Sequence, residues 1–86
     1  MDIEFDTAKD AANIAKHGLS LADAVEFEMA SAVIVIDDRR DYGEVRYRAF
    51  GRANGEGRCL AFTVRNNAVR VISYRRAHEK EMRRYE

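Results

Sequence analysis

The N-terminal segment alternates between apolar and acidic residues and then takes on a helical pattern. Ile3 and Phe5 alternate with acidic neighbours, which is typical of a short strand. A helix is predicted to follow, because Asp6 can accept hydrogen bonds from the first backbone N–H groups of that helix. Gly18 is expected to end it in the left-handed conformation that glycine adopts readily.

A second helix is predicted to begin at Ser20 and to end near Met29. Ser20 and Asp23 have the spacing of a capping box, in which each side chain binds the backbone N–H of the other residue. One side of this helix is expected to carry four residues, with Phe27 beside them: Leu21, Ala24, Val25 and Glu28.

The rest of the chain has the pattern of a sheet. Four strands are predicted, at residues 32–36, 45–52, 59–64 and 69–75. In the second of them, apolar positions alternate with arginine-rich ones, which indicates a sheet with two unlike faces. Asn54-Gly55 and Asn66-Asn67 are predicted tight turns, because Gly and Asn tolerate a positive φ.

This order of elements predicts an α+β fold in a single domain spanning residues 1–86. Consecutive hairpins indicate a four-stranded antiparallel meander, to which the N-terminal segment can add a short strand. Residues 37–43 are expected to form a polar loop, and residues 77–86 favour a terminal helix. All helices are expected on one face of the sheet, which leaves arginines exposed on the other.

Composition fits a small globular protein: the chain has 86 residues, of which 47% are hydrophobic and 35% charged. No apolar run approaches the roughly 18 residues of a membrane span, and the first residues lack the pattern of a signal peptide, so a cytoplasmic protein is expected. Cys59 is the single cysteine, which excludes an internal disulfide and a cysteine-rich zinc site. No cofactor or metal is expected, because the two histidines, the cysteine and the carboxylates show no ligand spacing.

The net charge of zero hides an asymmetry along the chain. Residues 1–44 carry 11 acidic and 4 basic side chains, a net charge of −7, whereas residues 45–86 carry 11 basic and 4 acidic ones, a net charge of +7. Ten of the later bases are arginines, whose planar guanidinium can bind a phosphate through two hydrogen bonds. The basic half therefore indicates an anionic partner, unless the two halves only neutralise each other within the fold.

Several short pieces occur along the chain in a fixed order: Glu4-Phe5-Asp6, Lys9, Asn13, Lys16-His17-Gly18, Glu44-x-Arg46, Gly51, Phe62-Thr63-x-Arg65, Arg70-Val71-Ile72-Ser73-x-Arg75-x-Ala77 and Glu81-x-x-Arg84-Tyr85. Taken together, these pieces resemble the BrnT family of toxins from type II toxin–antitoxin systems. The chain departs from the family at Phe5, where Trp is common, and at Asn66-Asn67, where Gly-Asp is frequent.

The resemblance implies a RelE-like fold and a ribonuclease that stops translation. It also implies an RNA substrate, a cognate antitoxin with a DNA-binding domain, contact with operator DNA only through that antitoxin, and a homodimer within the complex. Metal-independent RNA cleavage needs a base for the 2′-hydroxyl, positive charge at the phosphate and an acid for the leaving 5′-oxygen.

Arg65 and Arg75 are the first candidates for binding the scissile phosphate. Both match the family pattern and both lie at ends of predicted strands, where we expect their side chains to converge. Arg46 is a further catalytic candidate. Each of these arginines has an alternative structural role, as an exposed side chain or as the partner of an acid such as Glu81 or Glu44.

His17 is the candidate general base and Tyr85 the candidate that stacks on a base or donates a proton. His17 can equally serve as a cap at a helix end, and Tyr85 can equally dock the last helix on the sheet. Four further residues are predicted to bind RNA: Lys16, Arg48, Arg70 and Arg84.

Two other interpretations remain open from the sequence. The chain can be a non-catalytic binding and dimerisation module that acts as a corepressor with a DNA-binding partner. It can also be a toxin fold that has lost its activity. Loss of toxicity on arginine substitution, with partner binding intact, would distinguish the ribonuclease from both.

Overall fold

The computed structural model describes all residues from 1 to 86. In chain order the elements are β1 (Ile3–Glu4), α1 (Thr7–His17), a first 3₁₀-helix (Leu21–Glu26), a second 3₁₀-helix (Met29–Ser31), β2 (Val33–Ile36), β3 (Tyr47–Ala53), β4 (Glu56–Arg65), β5 (Ala68–Arg76) and α2 (Glu79–Tyr85). The predicted α+β class is confirmed.

The five strands form one sheet in the order β1-β5-β4-β3-β2. Strands β2 to β5 are the predicted antiparallel meander, and β1 adds to it by pairing parallel with β5. Both predicted turns are confirmed: φ is 52° at Asn54 and 81° at Gly55, and 52° and 63° at Asn66 and Asn67. Positive φ at two successive residues is what a tight two-residue hairpin requires.

Helix α1 begins and ends where the sequence predicts. One Asp6 carboxylate oxygen accepts from the backbone N–H groups of Ala8 and Lys9, at 2.8 and 3.1 Å. At the other end Gly18 has a φ of 72°, and its N–H donates to the Ile14 carbonyl at 2.8 Å. The length of α1 is therefore set by local contacts at its two ends and not by packing against the sheet.

The predicted second α-helix is wrong in type and length, since this segment is a 3₁₀-helix that ends at Glu26. The capping box of Ser20 and Asp23 is present as predicted. Asp10 of α1 adds a constraint, because its Oδ1 atom accepts from the Ser20 hydroxyl at 2.9 Å and from the Leu21 N–H at 2.7 Å. This attachment to α1 holds the short segment against the sheet.

The 3₁₀ geometry also changes which side chains are buried. With three residues per turn, Leu21, Ala24 and Phe27 point the same way and all three are buried. Val25 was expected beside them but is 65% exposed, and Glu28 is also exposed. The expected 3.6-residue period therefore fails here because tertiary contacts select a tighter helix.

The sheet has two faces that differ in what covers them. We call the first the core face: α1 and the first 3₁₀-helix cover it, and its buried cluster includes Leu60, Phe62 and Tyr74. On the opposite face α2 packs over one end of the sheet, where Met82 joins Phe50 and Cys59. The expectation that every helix lies on one face is therefore wrong for α2.

Helix α2 reaches the sheet because β4 carries a glycine under it. A Cβ atom at Gly57 would lie 2.7 Å from the Met82 Cγ atom and 3.0 Å from the Ala77 carbonyl oxygen. The Tyr85 ring stacks on Phe50 at 4.0 Å between ring centres, with the planes 7° apart. The C-terminal helix is thus held by close packing at both of its ends.

Candidate functional site

Five strand arginines share the face opposite the core face, which we call the arginine face. Arg48 and Arg52 stand on β3, Arg65 at the end of β4, and Arg70 and Arg75 on β5. The register brings them together, since Cys59 of β4 lies opposite both Phe50 and Arg75, and Ala61 lies opposite both Arg48 and Ser73. Residues opposite one another in an antiparallel sheet share a face.

Arg75 lies near the end of β5 and is paired with an acid of α2. Its Nη1 and Nη2 atoms donate to the two carboxylate oxygens of Glu81 at 2.9 and 3.0 Å. The hydrogen bonds from Arg75 lower the pKa of Glu81 to about 2, so Glu81 stays ionised over the whole neutral range. The guanidinium of Arg75 is therefore oriented by Glu81, and a phosphate would have to compete with that carboxylate for the same two donors.

Arg48 has no acid within ion-pair distance, unlike its neighbours on this face. Arg52 pairs with Glu79 and Glu86, and Arg70 pairs with Glu4, but Arg48 makes no ion pair. Its Nε atom is buried and has no hydrogen-bond partner, and its guanidinium carbon lies 5.6 Å from the centre of the Phe50 ring. An unpaired charge with an unsatisfied donor is the expected feature of a surface that binds an anion.

A third guanidinium approaches the same place from the loop after β2. Burial raises the pKa of the Cys59 thiol, and the charges of Arg75, Arg48 and Arg39 each act against that rise. The charges of all three arginines therefore act on Cys59. Arg39 is in turn held by the buried carboxylate of Asp37, with 2.7 Å between the Arg39 Nε and Asp37 Oδ1 atoms.

Arg46 lies just before β3 and is constrained from two sides. Its guanidinium carbon is 4.1 Å from the centre of the Tyr42 ring, and its Nε atom donates to Glu44 at 3.1 Å. The pair with Glu44 is the structural alternative that the sequence left open for Arg46. The cation–π contact leaves part of the guanidinium available to a second partner.

The end of α1 brings His17 and Lys16 to the edge of the sheet beside β5. Asn13 fixes this position, because its side chain donates to the Tyr74 carbonyl at 2.8 Å and accepts from the Tyr74 N–H at 3.2 Å. Lys16 and His17 then line a shallow depression with Ser73. Burial, followed by the charges of Lys16 and Arg75, lowers the pKa of His17, so its imidazole is neutral at pH 7.

The expected convergence of Arg65 with Arg75 is wrong. Arg65 lies opposite Ala68 beside the tight turn, whereas Arg75 lies opposite Cys59 near the other end of the same hairpin. Six residues separate Cys59 from Arg65 along β4, which at about 3.3 Å per residue is about 20 Å. The C-terminal ends of two antiparallel strands lie at opposite ends of the hairpin, because the chain reverses direction between the strands.

The remaining candidates lie toward the margins of the arginine face. Arg70 is 3.4 Å from Glu4 on β1. Arg84 lines a depression on α2 together with His78 and Glu81. The stacked ring of Tyr85 takes part in packing, which is the structural alternative the sequence offered for it.

Comparison with protein families decides what kind of protein carries this face. The family described as the ribonuclease toxin BrnT of type II toxin–antitoxin systems matches residues 5–81. The chain belongs to the BrnT family. It is therefore a ribonuclease toxin of a type II toxin–antitoxin system, a class that implies an RNA substrate and an antitoxin partner. A comparison with curated protein sequences finds no match.

The BrnT match includes the whole arginine face and ends at Glu81, the acid that orients Arg75. Arg84 and Tyr85 follow the matched range. No three His, Cys, Asp or Glu side chains of this BrnT chain are grouped so that they could hold a metal ion. Neither α1 nor α2 has the length and hydrophobicity that crossing a membrane requires.

Sequence reasoning missed Asp37, Arg39 and Tyr42, which it assigned only to a polar loop. The available signal was an acid directly after an apolar strand, followed two residues later by an arginine and then by a tyrosine. That signal is weak, because the approach of Arg39 to Cys59 depends on how the loop folds back over the sheet. In this BrnT chain the loop supplies one side of the candidate site.

Proposed function

We propose that this toxin is a metal-independent endoribonuclease whose site is the arginine face around Cys59. The observation that carries the proposal is the unpaired Arg48 guanidinium beside Arg75 and Arg39, which are both oriented by carboxylates. The Arg75 and Arg48 guanidinium groups supply positive charge where the scissile phosphate gains negative charge in the transition state, and Arg39 adds positive charge for the neighbouring RNA backbone. Arginine suits this role because it remains charged at every working pH.

The reaction class follows from the substrate's own chemistry. The 2′-hydroxyl oxygen attacks the adjacent phosphorus, the bond from phosphorus to the 5′-oxygen breaks, and the products end in a 2′,3′-cyclic phosphate and a 5′-hydroxyl. One proton leaves the 2′-oxygen and one reaches the departing 5′-oxygen. The protein then needs only acid–base groups and a charged cradle for the phosphate.

Arg75 and Arg48 are the groups we assign to the scissile phosphate. His17 is assigned as the general base, which its lowered pKa and its place beside Ser73 support. A base must be unprotonated to accept the 2′-hydroxyl proton, and a neutral imidazole meets that condition at pH 7. Lys16 lies beside His17 and is assigned to a flanking phosphate.

The other cations are assigned to the RNA backbone on either side of the cut. Arg46 extends the site toward the loop after β2, Arg70 toward β1 and Arg84 along α2. Arg65 lies too far from Arg75 to hold the same phosphate, so we assign it to a more distant one. Contacts of this kind bind RNA without reading its sequence and weaken as salt is added.

Cleavage of RNA in the cytoplasm by this site would inhibit translation, and the antitoxin would prevent it by binding the toxin. Contact with operator DNA is assigned to the DNA-binding domain of the antitoxin. The corepressor module is the alternative function, and it requires the same cations to bind a nucleic acid backbone without cutting it.

We further propose that two copies of the toxin pair through β2. This edge strand contains no proline or lysine and exposes Ile34 and Ile36, which are 47% and 64% accessible. The Asp37 N–H donates inward to the Arg46 carbonyl, so the alternation of an antiparallel ladder turns the backbone groups of Ile34 and Ile36 outward.

In this dimer, β2 of one copy pairs antiparallel with β2 of the other, and the twofold axis passes at Val35. Ile34 of each copy then lies opposite Ile36 of the other, and both sets of free backbone groups are paired. Sedimentation measurements test this: Ile36→Lys should dissociate the dimer, and Val25→Lys, an equally exposed site away from β2, should not. A monomeric wild type, or equal behaviour of the two variants, rules the pairing out.

The deciding experiment for the activity uses purified toxin, a defined RNA and excess EDTA, with the ends of the products mapped. Arg75→Ala should reduce the rate by about 100-fold or more, the effect of losing a main donor to the transition state. Arg65→Ala should reduce it far less, and Arg83→Ala is the matched control, since Arg83 is exposed and makes no ion pair. Wild-type products with 2′,3′-cyclic or 3′-phosphate ends support the proposal.

Two results would reverse this assignment. Cleavage that stops in EDTA and returns with a divalent cation would overturn metal independence. A folded wild type that leaves RNA intact, both alone and with ribosomes, would favour the corepressor module or an inactive toxin.

A further inference from the structure

The loop between β2 and β3 holds the buried carboxylate that orients Arg39, and it contacts a second residue as well. The Asp37 side chain is 4% exposed, whereas the Arg39 side chain that it binds is 60% exposed. Arg39 donates through Nε and Nη2 to the two Asp37 oxygens at 2.7 and 2.8 Å. Two parallel hydrogen bonds fix the plane of a guanidinium that would otherwise sample many rotamers, and they leave its Nη1 atom for another acceptor.

The same carboxylate reaches a second cation through Tyr42. The Tyr42 hydroxyl donates to Asp37 Oδ2 at 3.4 Å, and the Arg46 guanidinium lies 4.1 Å from the centre of the Tyr42 ring. One buried group thus fixes Arg39 directly and Arg46 through an aromatic ring. Hydrogen bonding from Arg39 holds the pKa of Asp37 at about 2, so this arrangement persists throughout the neutral range.

We propose that Asp37 is a positioning residue of the RNA site: it orients Arg39 and, through Tyr42, Arg46, so that both guanidinium groups meet the RNA backbone beside Arg48. This inference rests on the proposed function, because it assigns these cations to RNA. Asp37 touches neither the reacting atoms nor the RNA. Binding by Arg39 is the same in ground and transition states, so its loss raises KM and leaves kcat nearly unchanged.

A matched pair of substitutions tests the proposal in the full-length toxin. Asp37→Asn keeps the size of the side chain and removes its charge. Asp38→Asn makes the same change on the next residue, which is exposed and makes no hydrogen bond or ion pair. Asp37→Asn should raise KM about tenfold, as expected when one charge-assisted contact is weakened, and Asp38→Asn should leave it unchanged.

Two measurements separate positioning from a general structural role. Unfolding of part of the sample lowers the active fraction, and so the apparent kcat, but leaves KM as it was. In addition, Arg39→Ala should raise KM in the wild-type background and have no further effect in the Asp37→Asn background, since the two residues act as one unit. Asp37→Glu, which retains the carboxylate, should recover part of the lost affinity.

Each outcome decides between the proposals. A wild type that cleaves RNA, with the same KM in Asp37→Asn and Asp38→Asn, overturns the positioning role alone. Additive effects of Asp37→Asn and Arg39→Ala overturn it as well. A wild type that neither cleaves RNA nor binds it in a fluorescence anisotropy titration overturns the proposed function, and the positioning role with it.

Discussion

Arg48 and Arg58 occupy neighbouring strands of one sheet, and both have a buried Nε atom without a hydrogen-bond partner. They differ in everything else around the guanidinium. Arg58 lies on the core face and is only 6% exposed, where its Nη1 atom donates to the Gly57 carbonyl and approaches Glu56 at 3.6 Å. Arg48 lies on the arginine face with no acid within ion-pair distance.

The surroundings of Arg58 show what a structural arginine looks like in this fold. Its Nε atom lies 3.9 Å from Glu26, which also accepts from the Tyr74 hydroxyl at 3.0 Å. Burial, helped by the negative charge of Glu26, raises the pKa of the Tyr74 hydroxyl, so this phenol stays neutral. Every charge there has an oppositely charged partner inside the protein, whereas Arg48 has none.

Truncating each arginine to alanine tests the difference between Arg48 and Arg58 most directly. Arg48→Ala should lower kcat/KM by about 100-fold, with a change in the free energy of unfolding within about 0.5 kcal/mol, because Arg48 makes no ion pair and loses only a distant contact with the Phe50 ring. Arg58→Ala should lower the free energy of unfolding by about 1–3 kcal/mol, because it leaves buried polar groups unpaired. RNA cleavage assays and urea melts measure the two effects.

Activity in this comparison is scored at a temperature where each variant is folded. If Arg48→Ala lowered the free energy of unfolding as much as Arg58→Ala does, the division into structural and functional arginines would be contradicted. So would equal loss of activity per folded molecule in the two variants.

The same division shows why some features could be predicted from the sequence and others could not. Local chemistry sets the turns at Asn54-Gly55 and Asn66-Asn67 and the caps of α1, so sequence patterns were enough for them. The first 3₁₀-helix depends on Asp10 of α1, and the position of α2 depends on the space above Gly57. Those two contacts are tertiary, and no local pattern encodes them.

The candidate site divides in the same way. Arg48 and Arg52 share a face because residues alternate along β3, and that alternation was visible in the sequence. Arg65 was misplaced because strand register, not strand ends, decides which side chains meet. Arg39 was missed because its approach to Cys59 depends on the path of a loop.

Low pH should destabilise the fold through two carboxylates, Asp37 and Glu81, each of which orients an arginine. The pKa of Asp37 is lowered from 3.8 to about 2 by hydrogen bonds from Arg39, and that of Glu81 from 4.5 to about 2 by those from Arg75. A lowered pKa stabilises the fold above the unfolded-state value, and this stabilisation is lost as pH falls from about 4.5 to about 2. Asp37 contributes at most about 2 kcal/mol to this loss.

Urea melts at several pH values measure that loss. Asp37→Asn removes one of the two titrating groups, so its free energy of unfolding should fall less steeply between pH 4.5 and about 2 than that of the wild type. Asp38→Asn is the control and should keep the wild-type slope. Identical slopes for all three proteins would show that the Asp37–Arg39 pair does not contribute to stability.

A smaller effect should appear in the pH dependence of cleavage. Burial, Lys16 and Arg75 lower the pKa of His17, so the acidic limb of the rate profile should lie below pH 6.5. Lys16→Gln removes one of the two charges and should move that limb toward higher pH. Lys9→Gln changes a lysine that is absent from the causes of the shift and should leave the limb in place. If the acidic limb moves with neither substitution, His17 is not the general base.

The smallest expected effect concerns the hydroxyl of Tyr85. Removing this one oxygen atom distinguishes a role in packing from a role in proton transfer. Tyr85→Phe keeps the ring that stacks on Phe50, so the free energy of unfolding should change by less than about 0.5 kcal/mol. Since the structure uses the ring for packing α2, we expect cleavage to stay within about threefold of wild type, far below the 100-fold or greater loss typical of a general acid. Tyr85→Ala should loosen α2 and, through Glu81, the orientation of Arg75. A loss of 100-fold or more in a stable Tyr85→Phe would instead make this hydroxyl the proton donor to the 5′-oxygen.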